Sequence, residues 1–594
     1  MTRDPGGPPD APDAPGPATG PARWARRIAA ASALARHPRR TAAILRAWLT
    51  GRRLRARQHL SALIGIDHRL ALPPEILARF PVVTGAVEHP EMVVLTAEGH
   101  ALVAGARETF AAAFADPGLH ALYGDALVQA KVGGPVLPLL RSAFDPELSM
   151  AVDGIGPVIA LRRASLPEAG IGAASTALEA SFRIAERYGA AAIGHLPVIV
   201  SVRRPGGGDG LSPRPDTISD EARTPSPVRE REPGGATRGG TPGAVAGSGN
   251  RRRAGEGLSV KGRLEIVRRH LDRTGHADAG LALGPDGVVT VEHPLPDPLP
   301  AVTVIVPTRD RLDLLRPCLA SLRAHTDWPD VEILICDNDS RAPETLAYFR
   351  ALEGEGAARI VACPGPFDFA GMNNAAAAAA RGTLLAFVNN DVAAFEPSWL
   401  RRMVREALRP EVGAVGAKLL DGAGRVQHGG IVLGTGGLAT HAHRHFPGDA
   451  PGYGFRLRAT HAVSAVTAAC LVVEARKFHG VGGFDGQSFA VDFNDVDLCL
   501  RLTEAGHRTL MVPGAVLHHR EGASRRRTPD AQARHEREIA ALEERWGPLL
   551  AQDPHYHPGF DPDLSTHARL RAGWLDEPTG PVAVRRSAPS RSPT

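Results

Sequence analysis

Apolar runs alternate with amphipathic segments along the C-terminal half of the chain. The short apolar runs predict buried strands at VTVIVP (302–307), VEILIC (331–336), ARIVA (358–362), TLLAFV (383–388) and VGAVGA (412–417). Apolar residues at helical spacing predict helices at 312–325, 342–352, 371–381 and 397–408. This alternation predicts an α/β fold with a mostly parallel central sheet and helices on both faces. Ligands of such sheets bind beyond the carboxyl ends of the strands, so the residues after each run are the candidates for chemistry.

Two tracts rich in Gly and Pro interrupt the pattern, and their composition predicts disorder. Because the second tract cannot join a core, we expect a fragment starting near Gly257 to fold by itself. The predicted organisation is a disordered start (1–21), a basic helical arm (22–75), an N-terminal folded half (76–204), a disordered linker (205–257), a connecting segment (258–300), a C-terminal folded domain (301–560) and a tail (561–594).

Composition narrows the classes of function. The net charge of +5 over 594 residues does not favour a nucleic-acid partner. No apolar run reaches the ~18 to 20 residues that span a bilayer. The five cysteines lack metal-ligand spacing and are interpreted as reduced core thiols of a cytoplasmic protein. Two interpretations of the basic arm stay open, a helix resting on anionic lipid at the inner membrane face and a solvated helix.

Polar residues follow three of the predicted strands, in PTRD (307–310), DNDS (337–340) and NND (389–391). No phosphate-binding glycine loop is present, so a nucleotide diphosphate bound here would need a cation. Mg²⁺ or Mn²⁺ would suit Asp391 as a ligand, although NND could equally be an ordinary turn. Further on, Asp495 and Asp497 open a predicted helix, where acidic residues can serve as capping charges.

Ten segments in order resemble the bacterial family 2 glycosyltransferases, especially the rhamnosyltransferase-like group. The resemblance covers about residues 302–558. The segments are IVPTRD, ICDNDS, PGPFDFAGMNNAA, FVNNDVAAFEPSWL, VGAVGAKLL, VQHGGIVLG, VTAACLVVE, VGGFD, FNDVDLCLRLTEAG and LHHREGASRR.

The resemblance implies the A-type glycosyltransferase fold, a nucleotide-sugar donor and a divalent cation, Mg²⁺ or Mn²⁺. The cation would be held by Asp391 and His519, with His518 as a register alternative. The family's usual acidic pair here is Asn390 and Asp391, which leaves one carboxylate. The donor-binding positions that carry over are Pro307, Thr308, Asp337, Asn338, Asn374 and Asn390. The sugar or acceptor positions are Gly483, Asp485, His428 and Asp497.

Asp495 matches the family's catalytic base. An acceptor hydroxyl is a weak nucleophile, so a carboxylate takes its proton as the anomeric carbon is attacked, and a single displacement inverts that centre. Asp497 points about 200° around the helix, so we expect Asp497→Asn to keep more activity than Asp495→Asn. The histidines of HAHRH (441–445) are interpreted as part of a mobile loop, with metal binding as the alternative.

The N-terminal half contains segments that resemble the back half of a second domain of the same type. They include HALYGDALV and IGHLPVIVSVRR. The front half of such a domain is missing, and the segment ASTALEASFR offers no Asp where a base would stand. We therefore expect a noncatalytic, degenerate domain, with Asp125 as a turn residue.

Together these features predict an inverting glycosyltransferase at the cytoplasmic side of the membrane. It would transfer a sugar, with rhamnose as the candidate, to a surface polysaccharide or a lipid-linked glycan. Two rivals are a nucleotidyl or phosphoryl transferase on a similar sheet, which would leave Asp495 without a role, and a glycan-binding pseudoenzyme.

Overall fold

The computed structural model describes residues 34, 38–49, 70–83, 89–172, 174–205, 258–284, 286–520, 528–562, 566–576 and 583–587. The predictions for 1–21, for the linker at 206–257 and for parts of the arm and tail lie outside these residues. None of the described helices is long and apolar enough to span a bilayer.

The N-terminal half is built on a six-stranded sheet with the order β1-β5-β3-β6-β2, and β4 pairs with β3. Its strands are β1 (Met92–Thr96), β2 (His100–Leu102), β3 (Ala121–Gln129), β4 (Val136–Leu139), β5 (Val158–Arg162) and β6 (Ile193–Arg203). The helices of this half, preceded by α1 (Pro38–Leu49) of the arm, are α2 (Ala106–Ala113), α3 (Pro146–Val152) and α4 (Ala177–Tyr188). A helix and a hairpin follow, α5 (Val260–Arg273), β7 (Gly280–Leu283) and β8 (Val289–Glu292).

The C-terminal half is built on a ten-stranded mixed sheet. Its main order is β11-β10-β9-β12-β19-β14-β20-β13, with β15 on β14 and β18 on β20. The strands are β9 (Val302–Thr308), β10 (Val331–Asp337), β11 (Arg359–Ala362), β12 (Leu384–Val388), β13 (Val392–Ala394), β14 (Val412–Leu420), β15 (Val426–His428), β18 (His461–Val463), β19 (Cys470–Glu474) and β20 (Arg508–His519). A separate hairpin joins β16 (Ile431–Leu433) and β17 (Ala439–His441).

The helices of this half cover both faces of the sheet. They are α6 (Leu312–Ala324), α7 (Pro343–Gly354), α8 (Phe369–Ala379), α9 (Trp399–Ala407), α10 (Ala475–Gly480), α11 (Asn494–Glu504) and α12 (Pro529–Ala551). The five predicted strands and the four predicted helices are confirmed within a few residues. β9 to β12 are mutually parallel, and every residue of β9 is buried because both faces of this strand are covered. The sheet becomes mixed beyond β12, where β19 runs antiparallel to both β12 and β14.

The segment predicted to connect the halves joins the core of the N-terminal half. Ile266, Val267 and Leu271 of α5 are buried in that core. Glu186 of α4 accepts hydrogen bonds from His270 at 2.6 Å and from Arg273 at 2.7 Å. Residues 258–273 are therefore a packed part of this half.

The two halves share buried contacts. Glu147 of α3 lies 2.7 Å from Arg409 and 3.0 Å from Arg508 of the C-terminal half. Burial opposes the ionisation of Glu147, but Arg409 and Arg508 outweigh it and hold its pKa well below the usual range. Asp145 accepts a hydrogen bond from the backbone of Ala462, the second residue of β18, at 2.8 Å. The N-terminal half therefore packs directly on the C-terminal sheet.

The end of the predicted C-terminal domain and the described part of the predicted tail also pack on the N-terminal half. Tyr556, Phe560 and Trp574 are buried in one core with Phe110 and Leu122. Removal of the N-terminal half would expose this surface and the Glu147 partners. We therefore now expect a fragment starting near Gly257 to depend on the missing half for its stability.

Candidate active site

The ends of β9 and β12 meet through two of the predicted donor-binding residues. Asn390 donates a hydrogen bond to the hydroxyl of Thr308 at 2.9 Å, and both side chains are buried. Pro307 lies one residue earlier in β9 and is also buried. The parallel pairing of β9 with β12 places these residues at the same sheet edge.

The end of β10 adjoins the same edge. Asp337 accepts a hydrogen bond from the backbone of Ser340 at 3.0 Å. The buried Asn338 donates to the carbonyl oxygens of Cys363 at 2.9 Å and Gly365 at 3.1 Å. Asn338 therefore holds the loop after β11, while the carboxylate of Asp337 stays partly exposed.

Asn374 of α8 clamps the turn that precedes α11. Its amide accepts from the backbone N–H of Phe484 at 2.9 Å and donates to the carbonyl of the same residue at 2.7 Å. Gly483 has a φ of 70°, and a Cβ there would lie 2.6 Å from the Asn374 oxygen. A larger residue at 483 would therefore be strained and would break the clamp.

Asp391 and His519 face each other across neighbouring strands. β13, which starts directly after Asp391, pairs Val392 with His519. His519 Nε2 lies 3.2 Å from Asp391 Oδ1, and both side chains are buried. His518 is exposed and packs against Phe395 at 4.8 Å between ring centroids. The geometry thus favours His519 over its register alternative.

The nature of these two groups fits a divalent cation. The Nδ1 atom of His519 contacts the Gln427 side-chain oxygen at 3.1 Å, which leaves Nε2 directed at a carboxylate oxygen. Imidazole nitrogen and carboxylate oxygen are common ligands of divalent ions. Asp391 and His519 could therefore supply two ligands of such an ion, and the diphosphate of a donor would have to complete the coordination.

Asp495 is connected to the NND segment by a short path of backbone contacts. Its Oδ2 accepts a hydrogen bond from the backbone of Ala468 at 3.0 Å. The carbonyl of the next residue, Ala469, accepts from the backbone of Asn389 at 3.1 Å. Phe493 is the N-cap residue of α11, so Asp495 does not occupy the capping position. The adjacent residues Ala468 and Ala469 thus link Asp495 of α11 to the NND segment.

Asp497 faces the opposite side of α11 and is completely buried. Its carboxylate accepts hydrogen bonds from Arg501 at 2.7 Å, Arg545 at 2.8 Å and Trp546 at 3.0 Å. Asp485 pairs with the same Arg545 at 2.8 Å. These contacts fix α12 to α11 and occupy both carboxylate oxygens of Asp497, which argues against the expected contact with the sugar or acceptor.

Asp485 stabilises the turn before α11. Its carboxylate accepts from the backbone N–H groups of Gln487 at 3.0 Å and Ser488 at 3.1 Å. Burial opposes ionisation, but the hydrogen bonds from Ser488 and Arg545 lower the pKa of Asp485. The expected sugar contact of Asp485 would have to compete with these partners.

His428 is fully buried beside the site. Its Nδ1 lies 2.7 Å from that of His441, and its Nε2 accepts from the backbone of Thr467 at 3.4 Å. Burial and, to a smaller extent, the nearby His519 lower the pKa of His428 to about 3, so the ring is neutral. His428 therefore supports the segment that leads to Ala468.

The remaining histidines of HAHRH lie in a packed region. His443 stacks on His567 at 4.4 Å between ring centroids and accepts from the backbone of Tyr453 at 3.1 Å. Among the described residues, the clustered potential metal ligands are Asp125, His195 and His557, which do not include this segment.

That cluster was not predicted from the sequence. Asp125 is buried within β3, which corrects its interpretation as a turn residue, and lies 3.1 Å from His195 and 2.7 Å from His557. The backbone of Gly559 donates to His557 Nδ1 at 2.9 Å, so the ring proton is on Nε2 and is donated to Asp125. In this structure the three residues form a hydrogen-bonded link between the N-terminal sheet and the C-terminal segment.

Comparison with known proteins agrees with the C-terminal architecture. Residues 303–428 match the family model described as Glycosyl transferase family 2, so this part of the chain is similar to that family. This match and the sheet order identify the A-type glycosyltransferase fold, as expected from the sequence.

Three relatives match about half of the chain. An uncharacterised protein of Sinorhizobium fredii is 40% identical over 326 residues, which cover 54% of this chain and 35% of that protein. The O-antigen biosynthesis protein RfbC of Myxococcus xanthus is 37% identical over 308 residues, which cover 52% of this chain and 24% of that protein. A pre-mycofactocin glycosyltransferase of Mycobacterium tuberculosis is 27% identical over 269 residues, which cover 45% of this chain and 51% of that protein. The match spans only 35% and 24% of the first two relatives' own length.

Proposed function

We propose that the chain is an inverting glycosyltransferase. It transfers a sugar from a nucleotide-diphosphate donor to a hydroxyl of a cell-surface polysaccharide or a lipid-linked glycan precursor, at the cytoplasmic face of the membrane. Two observations together carry the proposal. Asp391 contacts His519 at 3.2 Å at the end of the NND segment, and Ala468 and Ala469 link that segment to Asp495. Rhamnose is the first donor sugar to test.

In the proposed reaction Asp495 acts as the general base. Its carboxylate accepts the proton of the acceptor hydroxyl while the acceptor oxygen bonds to the anomeric carbon. The bond from that carbon to the diphosphate breaks, and the nucleoside diphosphate leaves from the opposite face. A bound Mg²⁺ or Mn²⁺ would offset the charge that develops on the leaving group. Asp391 and His519 would hold this ion, while Thr308, Asp337, Asn338 and Asn390 would shape the donor site.

We further propose that the N-terminal half is noncatalytic and supports the acceptor side. Its contacts reach β18 and the residues just before it, which precede the backbone segment that Asp495 contacts. Asp145 holds β18 at Ala462, and Arg456 donates to Ser142 at 2.8 Å. Five residues, 463–467, separate Ala462 from Ala468, so anchoring β18 restricts the backbone that Asp495 contacts.

A donor panel tests the proposal. The purified full-length chain is melted with nucleotide-diphosphate sugars, with and without Mn²⁺, beginning with dTDP-rhamnose. A donor at about 100 times its dissociation constant should stabilise the protein by about 2.7 kcal/mol. Mn²⁺-dependent stabilisation followed by donor hydrolysis or transfer supports a glycosyltransferase. Stabilisation by a donor without any turnover would instead favour the pseudoenzyme.

Three variants locate the cation site. We expect Asp391→Ala and His519→Ala to lose Mn²⁺-dependent donor stabilisation, because each removes one ligand. His518→Ala is the matched control, since this neighbour is exposed and should leave the response intact. Retention of the Mn²⁺ response in Asp391→Ala would contradict the assignment. A nucleotidyl or phosphoryl transferase would be indicated by turnover that survives Asp495→Asn.

A further inference from the structure

Gln427 contacts the ring nitrogen of His519 that faces away from Asp391. The Gln427 side chain is buried in β15, and its oxygen lies 3.1 Å from His519 Nδ1. A carbonyl oxygen only accepts hydrogen bonds, so Nδ1 must carry the proton. In a neutral imidazole the other nitrogen, Nε2, then presents a lone pair.

This lone pair points at another acceptor. His519 Nε2 lies 3.2 Å from Asp391 Oδ1 in a buried setting. Either a proton on Nε2 or a cation that binds both atoms stabilises this contact, and in the second case Nε2 and the carboxylate are both ligands. The hydrogen bond from Nδ1 to an acceptor is the arrangement that orients metal-binding histidines and makes them more basic.

An irregularity in β15 is associated with the position of Gln427. Leu419 pairs with His428, whereas Leu420 pairs with Val426, so Gln427 is an extra residue opposite the regular strand β14. Such bulges bend a strand and redirect a side chain, and they are frequent beside active sites. The adjacent Gln427 and His428 are both buried, which strict alternation on a one-sided strand would not require.

We propose that Gln427 is a positioning residue for the cation site, which fixes the tautomer and orientation of His519 so that Nε2 binds a divalent ion together with Asp391. This inference rests on the cation site of the proposed function. Gln427 itself touches neither the ion nor the substrate. Its role is exerted through His519.

Two substitutions of Gln427 test this role with Mn²⁺ alone as the probe. Gln427→Met keeps the length of the side chain but removes the acceptor, whereas Gln427→Glu keeps an acceptor oxygen. Free Mn²⁺ is followed by electron paramagnetic resonance in titrations of the full-length protein, and metal-free melting checks the fold. We expect Gln427→Met to bind Mn²⁺ about 10 to 100-fold more weakly than wild type, while Gln427→Glu binds at least as tightly.

Each outcome bears on the inference. In folded Gln427→Met, a Mn²⁺ affinity within about twofold of wild type is far from the expected 10 to 100-fold loss. That result overturns the positioning role but leaves the cation site intact. If Gln427→Met does not fold, a loss of affinity of about tenfold in folded Gln427→Glu would also overturn it. Wild-type protein that binds no Mn²⁺, either alone or beyond a protein-free control when inorganic pyrophosphate is present to complete the coordination, would overturn the cation site and, with it, the role of Gln427.

Discussion

The N-terminal sheet and the C-terminal sheet pair their strands in the same way around one central strand. β3 runs parallel to β6 and antiparallel to β5 and β4. β14 runs parallel to β20 and antiparallel to β19 and β15. In both cases a helix, α4 or α11, precedes the last strand of the set. The C-terminal sheet alone continues into the four parallel strands β9 to β12.

The polar residues at the start of the two helices differ in what they contact. Thr176, the N-cap of α4, accepts a hydrogen bond from the backbone of Glu179 at 3.2 Å, within the same helix. Asp495, the second residue of α11, accepts from the backbone of Val496 at 2.9 Å and also from Ala468 at 3.0 Å in another segment. A shared pattern of strands therefore carries different groups near matching helix starts, and chemistry has to be argued from those groups.

The largest expected effect is on the catalytic side of this comparison. Asp495→Asn keeps the size of the side chain but cannot take the acceptor's proton. We expect sugar transfer to fall by about 10² to 10⁴-fold, with donor affinity close to wild type. Steady-state rates and donor-induced melting shifts measure the two quantities. Near-normal transfer would show that another residue is the base.

Asp497→Asn is no longer expected to be a mild variant. The buried Asp497 has Arg501, Arg545 and Trp546 as partners, so the amide would leave Arg501 without its carboxylate and Arg545 with Asp485 alone. We expect loss of stability, measured by denaturant unfolding, instead of a selective loss of rate. Full stability of this variant would contradict the packing role.

The next effect concerns the contact between the halves. Glu147→Gln removes the charge that pairs with Arg409 and Arg508 in a buried interface. Arg409 keeps its contacts with Glu406 and Glu411, so we expect the variant to lower the free energy of unfolding by about 3 kcal/mol, the lower end of the range for a broken buried pair. Glu168→Gln is the matched control, because the Arg187–Glu168 pair is exposed and should contribute under about 1 kcal/mol. Equal effects of both variants in urea unfolding would mean that the buried network does not join the halves.

A smaller effect depends on pH and on the link at Asp125. Burial lowers the pKa of His195 to about 4, whereas the unfolded side chain has its ordinary value near 6.5. The unfolded state therefore binds more protons between these values, so stability is present above about pH 6.5 and is lost as the pH falls towards about 4. We expect the loss in unfolding free energy between about pH 7 and about pH 5 to be smaller in His195→Gln by about 2 kcal/mol. An unchanged pH dependence would show that His195 is not protected from protons by burial.

The smallest effect is on the N-terminal counterpart of the catalytic helix. Thr176→Ala removes only a helix cap and should cost about 1 kcal/mol of stability. Sugar transfer should stay at the wild-type rate, measured beside Asp495→Asn. A large fall in transfer would give the N-terminal half a direct part in the reaction.

Much of the C-terminal fold could be predicted because its signal is local. Runs of β-branched residues and helical spacing depend on neighbours along the chain, and these located β9 to β12 and α6 to α9. The motif order likewise located Asp391 and His519, which the structure brings to 3.2 Å. The participation of 258–273 in the N-terminal core could not be predicted, because it depends on contacts with α4.

The same limit applies to single residues. Asp125 and His557 are 432 positions apart, and no spacing in the sequence relates them. Gln427 lacks a motif of its own, and its contact with His519 depends on an irregular pairing between β14 and β15. Long-range packing determined these contacts.

The sequence by itself determined which elements form and which polar residues follow the strands, because periodicity and composition act over a few neighbouring residues. Only the tertiary structure decided which of these residues face the site. Asp495 and Asp497 are two positions apart on one helix, yet the first contacts Ala468 and the second is buried against Arg545 and Trp546. The packing of α12 on one side of α11 makes that difference, since residues two apart on a helix point to nearly opposite sides.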